Sequence, residues 1–375
     1  MNTHVALFLP SLRGGGAERV MATLAREFCA QGIQVDVVVA KAEGPYLFEL
    51  PDSVRVIDLG VSRVAFGLFG LIRYLRRERP MAMLATMNHA NVVALIARCL
   101  SFSSTRLVVR EAVNLSANIN GHSKLTDKVM PFLVGLFYPT ADSVIAVSRG
   151  VAEDLVGVAN IQKEKVLVIY NPVDLNELHA KSSISISHPW FQKGEPPVIL
   201  AVGRLVPQKD FGTLIKAFFL ITQQRKIALR LMILGEGEER PKLEEQIRNY
   251  GLKKEILLPG FVDNPYPYMK QAAVFVLSSL WEGLPNVLIQ AMALGTPVVS
   301  TNCPSGPEEI LEFGKWGALV PVASPKVMSE AIVSVLEKER ENGTPYLRDY
   351  CEKKFGVKPV SEAYLRVMLA MHGRL

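Results

Sequence analysis

The sequence predicts an α/β protein built from two doubly wound domains, each a parallel sheet with helices on both faces. Three observations carry this. Apolar strand-like runs alternate with longer helix-like segments nearly end to end, as successive strand–helix crossovers require. The runs are continuously apolar, the pattern of a strand buried on both faces. The alternation pauses once, over about residues 171–196, and then resumes.

In the first half the runs are HVALFLP (4–10), VDVVVA (35–40), MAMLATM (81–87), LVVR (107–110) and SVIAVS (143–148). The pause, NPVDLNELHAKSSISISHPWFQKGEP, concentrates Pro, Ser and Asn. The second half supplies VILAVG (198–203), LRLMIL (229–234), EILLPG (255–260), AVFVLS (273–278), TPVVST (296–301) and GALVPV (317–322). The expected organisation is an N-terminal domain over 1–175, a linker over 176–196 and a C-terminal domain over 197–350. A helical tail over 351–375 is expected to pack back on the N-terminal domain.

Bulk properties agree with this and exclude other classes. A chain of 375 residues, 49% hydrophobic, can bury two cores of ordinary size. Its 21% charged residues are spread without an apolar-poor stretch, which excludes long disorder. Cys29, Cys99, Cys303 and Cys351 form no CxxC pair, which argues against a zinc site or a disulfide framework and suits a reducing compartment. The opening MNTHVALFLPSL has no basic n-region and is cut by Pro10, so it reads as a first strand. No apolar run approaches the ~18 residues of a membrane-spanning helix.

Open parallel sheets bind ligands beyond the carboxyl ends of their strands, so the strand-to-helix loops are where chemistry is expected. The first, SLRGGGAERV, places Gly14 to Gly16 ahead of a helix near Ala17. Small residues there admit an anion to the helix N-terminus, and serve equally well as a tight turn. The second, VGRLVPQKDFGTLIKAF, places Arg204 and Lys209 between a buried strand and a helix, where a diphosphate would be a natural partner. The third, SSLWEGLPNVLIQAMALGTPVVST, puts Glu282 and Gly283 before a helix whose first turn Pro285 suits. The fourth, TNCPSGPEEIL, sets Glu308 and Glu309 in a first helical turn, which dipole complementarity alone would explain.

Together these loops resemble the retaining GT-B glycosyltransferases of family four, the group active in bacterial glycan assembly. GGAERV, YNPVD, VGRLVPQKDFGTLIKAF, LGEGEERPKLE, LPGFVDN, WEGLPNVLIQAMALGTPVVST and CPSGPEEIL carry the resemblance in order and spacing across nearly the whole chain. It implies two facing Rossmann-like domains with the active site in the cleft between them. It also implies transfer of a hexose or N-acetylhexosamine from a nucleotide diphosphate sugar to a glycan acceptor, one linked to a lipid diphosphate in cell-surface polysaccharide assembly. CPSGPEEIL is similar to relatives that use UDP-sugars, so UDP is the expected nucleotide.

By the same resemblance Arg204 and Lys209 bind the donor diphosphate and Glu282 contacts the transferred sugar, together the expected catalytic group. Gly15 and Gly16 close on the diphosphate, Phe261 and Val262 read the base, and Gly283, Leu284 and Glu309 complete the donor site. The second Glu of the family's Glu, seven-residue gap, Glu motif is here Gln290. Glutamine keeps one acceptor for a ribose hydroxyl but loses the charge that strengthens the bond. Many relatives carry a His near the end of LVVR; here Arg110, Glu111 and Ala112 stand there, Arg110 and Glu111 being expected on the acceptor or membrane side, with His89 as a substitute there or, as a helix-start residue, a structural one.

No DxD pair follows a strand, so no metal or cofactor is expected, and cations and helix N-termini take the electrostatic role. A Rossmann dehydrogenase would need GxGxxG after the first strand, which GGGAER does not satisfy. A donor-binding partner subunit and a GT-B nucleotide-sugar epimerase are the alternatives, disfavoured by the intact Arg204, Lys209 and Glu282.

The formal charge is +6, yet residues 55–128 hold eleven Lys/Arg against four acids. Within them VAFGLFGLIRYLRRER sets apolar residues beside Arg73, Arg76, Arg77 and Arg79, and VMPFLVGLFY follows at 129–138. An ordinary interstrand helix explains this. So does a surface that docks on an anionic membrane, since basic residues contribute about 1 kcal/mol each near such a leaflet. The expected partners are therefore the nucleotide sugar, a glycan or lipid-linked glycan and an anionic membrane surface, not nucleic acid. The expected location is cytoplasmic, peripheral on the inner membrane.

Overall fold

The computed structural model describes residues 3–117, 125–159, 161–224, 228–337 and 345–370. The chain divides into two compact units, Met1–Pro172 with Lys354–Leu375, and Val173–Lys353.

In the first unit the chain runs β1 (His4–Leu9), α1 (Gly16–Ala30), β2 (Gln34–Val39), β3 (Arg55–Asp58), α2 (Leu68–Glu78), β4 (Ala82–Thr86) and α3 (Asn88–Ser101). It continues through β5 (Arg106–Glu111), α4 (Leu125–Phe137), β6 (Ser143–Ala146), α5 (Arg149–Ala159) and β7 (Val166–Val168). The strands form one parallel sheet in the order β3-β2-β1-β4-β5-β6-β7. Val5, Leu7 and Leu9 of β1 meet Val20, Met21, Leu24 and Phe28 of α1, one stripe at helical spacing. Asp36 interrupts the apolar run of β2. It is fully buried and accepts from Arg55 at 2.9 and 2.5 Å, Tyr74 at 2.6 Å and His4 at 2.9 Å. Burial pushes its pKa up, but these bonds outweigh burial and hold it below the ordinary carboxylate range.

The second unit opens with α6 (Leu175–Ser182). It runs through β8 (Val198–Val202), α7 (Phe211–Gln224), β9 (Arg230–Leu234), α8 (Arg240–Asn249), β10 (Ile256–Gly260), α9 (Tyr266–Gln271) and β11 (Val274–Leu277). α10 (Asn286–Ala293), β12 (Val298–Thr301), α11 (Pro307–Ile310), β13 (Ala318–Val320) and α12 (Pro325–Glu337) complete it. Its parallel sheet has the order β10-β9-β8-β11-β12-β13. Leu214, Ile215 and Phe218 of α7 fill its core with Ile199, Ile233 and Val276.

α13 (Pro345–Phe355) then returns the chain to the first unit, where α14 (Val357–Met368) adds Val360, Tyr364, Leu365 and Met368 to the core. Burying one such side chain contributes roughly 1.5–3 kcal/mol, so the tail is part of that core.

One expected boundary differs. The chain passes between units at 172/173, and residues 176–196 belong to the second unit. Asp174 caps α6 by accepting from the Glu177 N–H at 2.9 Å, Leu175 and Leu178 are buried, and Asn264 donates to the Lys181 carbonyl at 3.0 Å. The Pro- and Ser-rich composition that suggested a linker belongs mostly to the chain after this eight-residue helix.

In each sheet the strand order reverses at one place: between β1 and β4 in the first unit, and between β8 and β11 in the second. Loops leaving neighbouring strands in opposite directions open a crevice there, the usual ligand position in an open α/β sheet.

Candidate active site

The second unit's crevice is flanked by the loops after β8 and β11. Pro207–Lys209 form a single tight turn, and Asp210, in the left-handed region at φ 43, accepts from the Thr213 N–H at 3.3 Å as α7 begins. This aims Lys209 at the opposite loop, where its Nζ donates to Glu282 Oε1 at 2.5 Å. Ser279 Oγ donates to the same oxygen at 2.6 Å. Glu282 is 7% exposed, so the pair sits in a mostly dry site. The two loops are laced by further bonds. Ser278 Oγ donates to the Lys209 carbonyl at 2.7 Å, the Leu280 N–H to the Gln208 carbonyl at 2.8 Å, and Gln208 Nε2 to the Trp281 carbonyl at 2.8 Å. Arg204, five residues before Lys209, is exposed and has no ion-pair partner among the described residues. The loop thus presents one fixed and one free cation.

Two glycines let the neighbouring loops close up. Gly235, at φ 145, lies where any side chain would overlap the Gly203 carbonyl oxygen, so the β9 loop rests on the backbone ahead of Arg204. Gly306, at φ 99, packs SGPEE against Pro285 and Gly283, and the Glu282 N–H donates to the Pro304 carbonyl at 3.1 Å. Gly283 and Leu284 are buried in this junction. Glu309 is half-buried in α11, and Phe261 stands 75% exposed just beyond β10 with Val262 half-buried beside it. Gln290 is buried on α10, and its amide makes no hydrogen bond among the described residues. Cys303 lies beside this group; burial, reinforced by the Glu282 charge, pushes its thiol up to about 12, so it is a neutral wall.

In the first unit Gly15 precedes α1 and Gly16 opens it, both exposed at the switch point between β1 and β4. His89 is exposed in the first turn of α3. Arg110 and Glu111 are not on the acceptor or membrane surface expected of them. Arg110 is 1% exposed and donates to the Tyr364 hydroxyl at 3.0 Å, Thr86 Oγ1 at 3.0 Å and Asn171 Oδ1 at 2.5 Å. Its fork ties β4, the chain just after β7 and α14 to β5. Glu111 is fully buried, with Tyr138 donating to Oε2 at 2.9 Å and the Ala112 and Val113 N–H groups donating to Oε1 at 3.0 and 3.2 Å. Arg73, Arg76, Arg77 and Arg79 are exposed as expected. Arg76, however, donates to the Leu100 and Ser101 carbonyls at 2.9 and 3.4 Å, closing the end of α3.

The description "Glycosyl transferases group 1" matches residues 184–353, and "Glycosyltransferase Family 4" matches residues 14–177. The N-acetylgalactosamine-N,N'-diacetylbacillosaminyl-diphospho-undecaprenol 4-alpha-N-acetylgalactosaminyltransferase of Campylobacter jejuni is 30% identical over 348 residues, 90% of this chain and 91% of that one. The chain belongs to glycosyltransferase family 4. AmsD of Erwinia amylovora, an amylovoran biosynthesis glycosyltransferase, is 27% identical over 80% of each chain. Among solved structures, Anabaena HepE in complex with UDP-glucose matches with a TM-score of 0.81 at 21% identity, covering 98% of this chain and all of that one. That likeness is one of fold: two Rossmann-like domains of the GT-B class.

In this glycosyltransferase, sequence reasoning missed the residues that brace the site. Ser279 shares the Glu282 oxygen with Lys209, and Gln208 and Ser278 hold the two loops together. The only signal was their position inside the quoted motifs. Trp281 is buried, and its indole N–H has no partner among the described residues. Among those residues no group of three or more His, Cys, Asp or Glu is placed to hold a metal ion, and no helix is long and apolar enough to cross a membrane.

Proposed function

We propose that this glycosyltransferase moves an N-acetylhexosamine or hexose, with retention, from a UDP-sugar to a glycan carried on a lipid diphosphate. The switch point of the second unit carries this reading. Breaking the anomeric bond leaves negative charge on the nucleotide diphosphate, and the loop after β8 offers Arg204 free and Lys209 held in place by Glu282. A unit charge pair ~4 Å apart is worth roughly 4 kcal/mol at an effective dielectric near 20, a substantial part of what preorganised charge contributes to catalysis. In this reading the two cations do the work of a divalent ion. Glu282 orients Lys209 and accepts from a hydroxyl of the transferred sugar, Phe261 and Val262 take the base, and Gln290 takes the ribose. The leaving phosphate removes the acceptor proton on the front face.

The family supports the remaining parts. The Campylobacter relative is named for forming an alpha linkage on a diphospho-undecaprenol acceptor, and an α product from an α-configured UDP-sugar is retention. UDP-glucose in the HepE complex accords with a UDP donor. Incubation with a nucleotide-sugar panel, with and without a polyprenyl-diphosphate-linked N-acetylhexosamine, tests the whole. Acceptor-dependent release of UDP from one or two donors is expected. Release of nucleotide from none of them, or conversion of the donor to its epimer, would sink the reading.

Peripheral docking on an anionic membrane belongs to the same proposal. Phe66, Phe69 and Phe102 are 64%, 81% and 90% exposed around α2 and the end of α3, with exposed Arg63, Arg73 and Arg77 among them. Large aromatics left in water beside arginines fit an interface that is apolar on one side and anionic on the other. Co-sedimentation with phosphatidylglycerol vesicles should fall on Arg73→Ser with Arg77→Ser, Arg76 being spared because it closes α3. Equal sedimentation of variant and wild type would remove the membrane from the proposal.

A further inference from the structure

The turn between β4 and α3 lies at the first unit's switch point, beside the Gly15–Gly16 loop. Met87 is held there at φ 76. A side chain in that region is strained, and such strain persists where the surroundings impose it and clusters at ligand sites. Met87 leads into half-buried Asn88 and exposed His89. Behind the turn lies the fully buried carboxyl of Glu111. With its nitrogen turned inward, the Asn88 amide donates to the two Glu111 oxygens at 2.9 and 3.0 Å. Asn91 Nδ2 donates to the Tyr138 hydroxyl at 2.8 Å and to the Arg110 carbonyl at 3.0 Å, which leaves the Tyr138 proton for Glu111. Each of these partners of the carboxylate is a donor, and among them Asn88 reaches the surface.

We propose that Asn88 binds a hydroxyl of the acceptor glycan, and that Glu111 is the positioning residue that decides which end of the Asn88 amide faces it. The inference rests on the glycosyl-transfer reading and adds the acceptor contact to it. A carboxylate only accepts, so ionised Glu111 draws Nδ2 inward and leaves Oδ1 outward to accept from a sugar hydroxyl. When Glu111 takes a proton, its O–H needs an acceptor. The Ala112 and Val113 N–H groups cannot serve, and the Tyr138 hydroxyl is committed, accepting from Asn91 and donating to Glu111, so the Asn88 amide turns over, Oδ1 inward, and presents an N–H that cannot accept the proton the sugar hydroxyl points at it. Burial pushes the Glu111 carboxyl up to about 7, against the opposing pull of Tyr138, the two backbone N–H groups and the Arg110 charge. Both arrangements are thus within reach near neutral pH. Among the described residues, Tyr138 after α4 and the Arg110 charge on β5 act on the Glu111 carboxyl, and His89 follows Asn88 in the first turn of α3.

The test is acceptor KM between pH 6 and pH 8.5 with a polyprenyl-diphosphate-linked N-acetylgalactosamine, donor saturating. Wild-type acceptor KM should rise roughly fivefold to tenfold as the pH falls, the value of one neutral hydrogen bond, with donor KM flat. Asn88→Ala should hold the high acceptor KM at every pH. Glu111→Gln, whose amide donates to Asn88 Oδ1 regardless of pH, should match the wild type at low pH and lose the pH dependence. Thermal unfolding checks that Glu111→Gln folds, and Asn88→Ala, on a half-exposed site, decides if it does not. A wild-type acceptor KM that ignores pH, or an Asn88→Ala acceptor KM equal to wild type, overturns the inference while acceptor-dependent transfer leaves the functional reading standing. A wild type that transfers from no donor overturns both.

Discussion

Lys209→Ala removes a cation fixed at the second unit's crevice, and two separate magnitudes follow. The Lys209 and Glu282 side chains are 15% and 8% exposed, so the lysine's loss strands a nearly buried carboxylate with Ser279 as its remaining side-chain partner among the described residues. Breaking a buried pair from one side costs about 3–5 kcal/mol of stability. Catalysis loses a charge worth roughly 4 kcal/mol against a phosphate ~4 Å away, which is about a thousandfold in rate; losses of one preorganised donor run at roughly a hundredfold to a thousandfold. The assay is nucleotide release at saturating donor, paired with thermal unfolding. Lys209→Ala with Glu282→Gln separates the two effects, because it removes the stranded charge without replacing the cation. Its melting temperature should recover much of the loss while turnover stays down. If Lys209→Ala keeps near-wild-type turnover at saturating donor, the diphosphate is bound elsewhere and the charge argument fails.

Gln290→Glu should lower donor KM with little change in kcat, the signature of binding shared by ground and transition states; an unchanged KM would mean the side chain does not reach the ribose. EDTA should leave transfer largely intact, and its abolition with rescue only by Mg²⁺ or Mn²⁺ would replace the two-cation mechanism. Glu111 has a folded pKa of about 7 against 4.5 for the free side chain. The native state therefore holds the extra proton between those values, and stability is lost as pH rises through that window, of the order of 3 kcal/mol in all. Glu111→Gln removes that slope, so its melting temperature relative to wild type should climb from pH 5 to pH 8; a constant difference would show that Glu111 does not titrate there.

The second unit's site was largely legible in the sequence. Arg204, Lys209 and Glu282 stand in loops directly after apolar runs that read as buried strands, and both loops flank the same switch point. Gly235 in LGEGEE and Gly306 in SGPEE let the neighbouring loops close up, a role that only the backbone positions around them reveal. The first unit was harder to read. Arg110 and Glu111 end a strand just as Glu282 follows one, yet they turn inward, and Arg76 closes a neighbouring helix instead of facing solvent alone.

What the sequence by itself determined is the order of strands and helices, because continuous apolar runs and helical stripes are local patterns that burial must satisfy wherever they fold. It also determined which loops carry charge and which carry glycine. The tertiary structure decided which charges meet. Lys209 and Glu282 are 73 residues apart, Arg110 and Tyr364 are 254 apart, and Arg110 and Asn171 are 61 apart. A charged side chain at a strand end goes inward only if partners from distant elements satisfy its hydrogen bonds there. No local pattern encodes their arrival, and the fold alone brings them together.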